Sequence, residues 1–119
     1  MSTSAAIYVF DEKLVVGALQ VHCDGYPRAL GKSIGEFLNN RPITNGIADT
    51  FEPGINGASN ILPQLTFHLQ LEHIKLYRRI AKRRERDIPP LNSALPGQFY
   101  SIPTRPVTYF EYNYHLHVI

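Results

Sequence analysis

The chain has 119 residues, 44% of them hydrophobic, which predicts one compact domain over residues 1–119. The apolar stretch Ile7–Phe10 and Leu14–Val21 is interrupted by Asp11, Glu12 and Lys13 and falls short of the roughly 20 residues of a membrane span. With no leader-like start and a lone Cys23, the reading is a soluble cytoplasmic protein without an internal disulfide. The net charge of +2 conceals an asymmetry. Between Lys75 and Asp87 stand seven basic residues and two acids, whereas the remainder carries five basic and eight acidic residues. A mildly acidic body with one basic projection would steer a phosphate- or carboxylate-bearing partner toward that projection.

Ala5–Phe10 is short, β-branched and aromatic, and Leu14–His22 repeats that character after a three-residue break, which predicts a β-hairpin. Gly17 and Ala18 inside the second strand predict a bulge or a close approach by another element. Asp24-Gly25 then ends the strand, and Pro27 suits the first position of a helix over Arg28–Leu38, whose stripe is Leu30, Ile34, Phe37 and Leu38. Arg41–Asn60, rich in Gly, Asn, Pro and Thr, reads as a long surface loop with at most a short turn near Ile47–Asp49.

A second helix is expected from about Ile61 to about Arg86, capped by Ser59 or Asn60. Its stripe is Leu62, Leu65, Leu69, Leu76 and Ile80, widened by Phe67, Leu71 and Ile74. Gln98–Ile102 reads as a strand. Val107–Ile119 reads as another, with Phe110, Tyr112, Tyr114, Leu116 and Val118 on one face and Tyr109, Glu111, Asn113, His115 and His117 on the other. The order ββααββ predicts an α+β fold: a four-stranded antiparallel sheet with two helices packed on one face.

His22-Cys23-Asp24-Gly25-Tyr26-Pro27 aims two ionisable side chains and a phenol into one turn. Together with Gly31, the Asn56-Gly57 pair and the run Tyr109–Tyr114, this His-x-Asp-Gly-Tyr-Pro motif resembles a set of small, largely uncharacterised bacteriophage and prophage proteins. The chain departs from that pattern at Arg28, where an acidic residue is more usual, and in its basic extension of the second helix. The resemblance implies phage accessory biology in the host bacterial cytoplasm and supplies no catalytic residues.

Two chemistries compete for the motif. His22 is a candidate proton carrier oriented by Asp24, with Tyr26 stacking on a ligand base. In the structural alternative, Asp24 makes an Asx-turn or caps the helix, Gly25 takes a positive φ and Tyr26 packs on the core. Cys23 is a poor catalytic partner for His22, since adjacent strand residues point to opposite faces. His115 and His117 share a face at two-residue spacing, but no Cys pair or acidic cluster joins them, and His68 and His73 are wrongly spaced for a zinc-binding helix. No metal or cofactor is expected.

The basic run offers the strongest signal for a partner. Lys75, Arg79, Lys82 and Arg86 would line one side of a helix with Arg78 and Arg83 adjoining, a row able to follow phosphates unless Glu72 and Glu85 tie the charges down. The leading reading is a non-enzymatic phage-type protein that inhibits a bacterial defence system, anti-CRISPR-like or sequestering a nucleotide signal. It would engage a host defence protein or its nucleic acid or nucleotide through Lys75, Arg78, Arg79, Lys82, Arg83 and Arg86, with His22 and Tyr26 as further contacts. The alternative is a small phosphate-ester hydrolase or nuclease with His22 as general base, assisted by Asp24. A homodimer or higher oligomer through the last strand fits either reading.

Overall fold

A computed structural model describes residues 3–39, 41–44, 46, 54–91, 99–103 and 110–118. Strands β1 (Ala5–Asp11) and β2 (Leu14–Val21) form the expected hairpin, turned through Glu12 in the left-handed region at φ 56°. Both readings of Gly17 hold. The register slips beside it, since Val9 faces Gly17 while Phe10 faces Val15, and a Cβ on Gly17 would lie 3.0 Å from Leu62 Cδ2.

The first helix opens with a wider π-type turn, Pro27–Gly31, and continues as α1 (Lys32–Leu38). Strands β3 (Ile43–Thr44) and β4 (Ile55–Asn56) pair in parallel inside the segment expected to be an unstructured loop, and Ile55 is fully buried. The expected turn near Ile47–Asp49 lies outside the described residues.

Helix α2 (Ile61–Arg83) follows a single 3-10 turn, Ala58–Asn60. No side-chain cap bond forms, contrary to expectation. Asn60 is already helical, and Gly57 at φ 73° redirects the chain instead. The helix stops at Arg83 rather than near Arg86 because Glu85 turns left-handed at φ 53°. Glu85 N then donates to Lys82 O and Arg86 N to Ala81 O, which satisfies carbonyls that a helix end leaves open.

Short β5 (Tyr100–Ser101) and β6 (Tyr112–Val118) complete a sheet of order β5-β2-β1-β6. The expected beginnings of these two strands, Gln98 and Val107–Tyr109, lie outside the described residues. The sheet is mixed, which corrects the antiparallel expectation. β1 pairs antiparallel with β2, and β2 with β5, but β6 runs parallel to β1 from Ala5↔Tyr112 to Asp11↔Val118. Side-chain alternation encodes which face is buried and is blind to strand direction. A strand that crosses the sheet to the far edge therefore reads the same as one that doubles back beside its predecessor. Among the described residues β6 is an edge strand, the position that pairing with a second copy requires.

One core unites Ile7 and Val9 of β1, Leu19 and Val21 of β2, Ile34 and Phe37 of α1 and Leu65 and Leu69 of α2, so both helices cover the same sheet face. Tyr114, Leu116 and Val118 join it from β6, as their alternation predicted. The α2 stripe differs at its margins: Ile61 and Ile74 are buried, whereas Phe67 and Leu76 are 66% and 40% exposed. Phe67 stands two residues from each of the buried Leu65 and Leu69, a step that turns it to the far side of a helix of about 3.6 residues per turn.

Candidate functional site

Where β2 ends, Asp24 takes the left-handed conformation at φ 56°, which Asp tolerates better than most residues. Gly25 does not, and its size is what matters: it is buried, and a Cβ there would fall 2.5 Å from Ala5 Cβ. Gly25 N donates to Thr3 O at 2.9 Å, and Tyr114 Oη donates to Gly25 O at 2.7 Å, which clamps the turn between the chain start and β6. Tyr26 is 38% exposed rather than packed in the core, and its carbonyl accepts from Ala29 N and Leu30 N at the helix start.

This turn forms one rim of a cavity of about 390 Å³ between the start of the first helix, the middle of α2 and the end of β2. Its polar lining comes from Cys23, Asp24, Ser33, Glu72, His73 and Tyr100, and Lys75 and Arg79 stand one helical turn apart at its side. Val21, Leu30, Leu69 and Leu76 supply apolar wall.

The inner groups are mutually bonded. Ser33 Oγ donates to Glu72 Oε2 at 2.7 Å, and His68 Nε2 stands 3.0 Å from Glu72 Oε1 without the alignment of a hydrogen bond. Tyr100 Oη is bonded to His73 Nδ1. Burial pushes the His73 pKa below the ordinary imidazole value, against the opposing pull of Asp24 and Glu72. It pushes the Tyr100 phenol well above its ordinary value, with Glu72, Asp24, Tyr77 and Cys23 adding to the rise. Between a neutral imidazole and a protonated phenol the bond runs either from Tyr100 Oη to Nδ1 or from Nδ1–H to Tyr100 Oη, according to the tautomer, and in both cases Nε2 is left free for a further bond.

The shift of His73 has a sign. Its lowered pKa means that the unfolded chain binds the proton more readily, so this contribution to stability is present above the ordinary imidazole value of about 6.5 and is lost as pH falls through the folded value. Thermal melts from pH 7.5 down to 5 should show a falling Tm, and His73→Gln should flatten that dependence. An equally steep profile in the variant would assign the acid sensitivity to other groups.

The structure separates residues that the sequence grouped. His22 Nε2 is bonded to Ser101 Oγ at 2.9 Å and its backbone N to Phe99 O, on the side of the strand away from the cavity that Cys23 and Asp24 line. Strand alternation sends Val21 into the core and His22 outward, so the expected His22–Asp24 pair is not assembled. On this same outward sheet face, His117 stacks on Phe10 with ring centroids 4.6 Å apart, and His115 meets the edge of Tyr8 at 5.5 Å. No group of three or more His, Cys, Asp or Glu side chains suited to a metal comes together among the described residues.

Of the basic run, Lys75 and Arg79 reach the cavity, Arg78 is half-buried, and Lys82 and Arg83 are exposed on the last turn. Arg86 continues the row only through the turn at Glu85 and not as a helical residue. Glu72 is engaged by Ser33 instead of by the row. Among the described residues, the ion pair between a basic and an acidic side chain is Lys32–Glu36 at 3.8 Å, and His68 lies beside Glu72 as a pair only when its imidazole is protonated. Sequence reasoning missed Ser33, Glu72, His73 and Tyr100 as one group. The available signal was Glu72-His73, two polar residues set between the apolar positions Leu69 and Ile74 of an otherwise regular stripe.

No family model matches the chain, and no curated protein or solved structure matches it.

Proposed function

We propose that the chain is a non-enzymatic binding protein of phage type that counters a bacterial defence system by gripping a phosphate-bearing partner with the basic end of α2. The partner is nucleic acid, a nucleotide signal or the defence protein that carries one. The observation that carries this reading is the free row of cations. From Lys75 to Arg86 no basic side chain forms an ion pair among the described residues, and the nearby carboxylate of Glu72 is bonded by Ser33 instead. Unneutralised guanidinium and ammonium groups spaced along a helix match the repeat of a phosphate backbone and release its counterions on contact. A nucleic-acid mimic would be strongly acidic, and this chain carries a net charge of +2. The hydrolase reading built on His22 draws no support from an imidazole bonded to Ser101 and set apart from Asp24.

A gel-shift titration with single-stranded RNA and duplex DNA across a salt series tests the nucleic-acid arm, and a pull-down from bacterial lysate tests the protein arm. The Lys82→Ala/Arg83→Ala double variant should weaken binding and make the slope of log K against log salt shallower by about 2. Absence of any shift at micromolar protein, with no host defence protein retained in the pull-down, would sink the reading.

A further inference from the structure

From the cavity between the Asp24 turn and α2 we infer a site for a nucleoside monophosphate, with the phosphate on Lys75 and Arg79 and the nucleoside inside. The assignment rests on the proposed role of the α2 cations only for these two residues. At about 390 Å³ the space is within the roughly 300–1,000 Å³ of small-molecule sites. Its polar groups divide into those already satisfied and those left over. Glu72 is bonded by Ser33, with His68 Nε2 3.0 Å from its other oxygen, and the Tyr100 hydroxyl is taken by His73 Nδ1. The groups without a bond among the described residues are the Asp24 carboxylate, which only accepts, Lys75 and Arg79, which only donate, and the Cys23 thiol and His73 Nε2 between them.

Those leftovers select a bipolar ligand. A bare polyanion would meet the Asp24 carboxylate, whereas a molecule with an anionic end and hydroxyl or amino donors at the other satisfies both sides. Between them, Val21, Leu30, Leu69 and Leu76 offer an apolar wall suited to a flat ring. A nucleoside monophosphate supplies all three parts: phosphate for the cation pair, ribose hydroxyls or an exocyclic amine for Asp24, and a base for the wall. The left-handed backbone at Asp24 is a sparsely populated conformation held by the clamp on Gly25, and it sets the carboxylate at the cavity rim.

Isothermal titration of the full chain with each of the four common ribonucleoside 5′-monophosphates tests the inference, with inorganic phosphate and adenosine as the two half-ligands. Asp24→Asn keeps a residue that tolerates the left-handed turn, and Arg79→Ala leaves an exposed helix position, so circular dichroism should show both variants folded. At least one monophosphate should bind ten-fold or more tightly than either half-ligand, and each variant should weaken it by ten-fold or more. The Lys82→Ala/Arg83→Ala variant should bind it unchanged while its gel shift weakens. Inorganic phosphate binding as tightly as the nucleotides would overturn the site, as would unaltered affinity in Arg79→Ala or no heat at millimolar nucleotide. A gel shift that persists through such a failure would leave the broader reading of α2 standing.

Discussion

Gly25→Ala should be among the most damaging single substitutions in the chain, although it adds one methyl group. The new Cβ would sit 2.5 Å from Ala5 Cβ and 3.0 Å from both Ala5 N and Ser4 C, closer than packed carbons approach. Neither side can retreat. Ala5 is fully buried at the head of β1, paired with Val21 on one side and Tyr112 on the other. Gly25 is fixed through its own N–H to Thr3 O and through its carbonyl by Tyr114 Oη. Overpacking costs about 1–3 kcal/mol, and a site that cannot relax belongs at the upper end of that range, to be read from the urea midpoint. Gly35→Ala is the matched control, because its Cβ meets nothing within 4 Å in the middle of α1 and should stabilise by about 0.5–1 kcal/mol. Equal effects at the two glycines would show that close packing is not the reason for glycine in the motif.

The motif illustrates what the sequence reveals and what only the fold supplies. Asp24-Gly25 is legible as a chain reversal, and the usual assignment puts the glycine at positive φ. Here Asp24 takes that conformation and Gly25 is selected by its distance to Ala5, a contact between residues 20 positions apart that no local pattern announces. The hairpin, both helices and the inward face of β6 were legible because each depends on alternation or a helical stripe within one segment. The parallel course of β6, the pairing of Ile43 with Ile55 and the early stop at Arg83 were not. They depend on which distant strand is met, or on one left-handed residue, Glu85, of a type that rarely marks a helix end. The candidate site follows the same division. Lys75 and Arg79 stood out as charges at helical spacing, whereas His73 meets Tyr100 only because β5 returns to the edge of β2.

Phe37→Ala should destabilise the protein by about 3–5 kcal/mol, the range for deleting a buried aromatic ring. Phe37 is 1% exposed, is the largest fully buried side chain described, and lies beneath the Arg41 guanidinium at 4.7 Å and beside the His68 ring at 5.5 Å. Its loss would fall on α1 first. That helix has seven residues, too few to hold its shape by backbone bonding alone, and apart from the preceding turn it is fastened by Ile34 and Phe37. Because Ser33 on the same helix bonds Glu72, loosening α1 would also release one wall of the cavity and the carboxylate engaged there. Hydrogen exchange should therefore show the α1 amides of Phe37→Ala losing protection well before those in the middle of α2, and Phe37→Leu should fall between variant and parent. Uniform loss across both helices would mean that α1 has no separate dependence on Phe37 and that the cavity opens only when the whole core does.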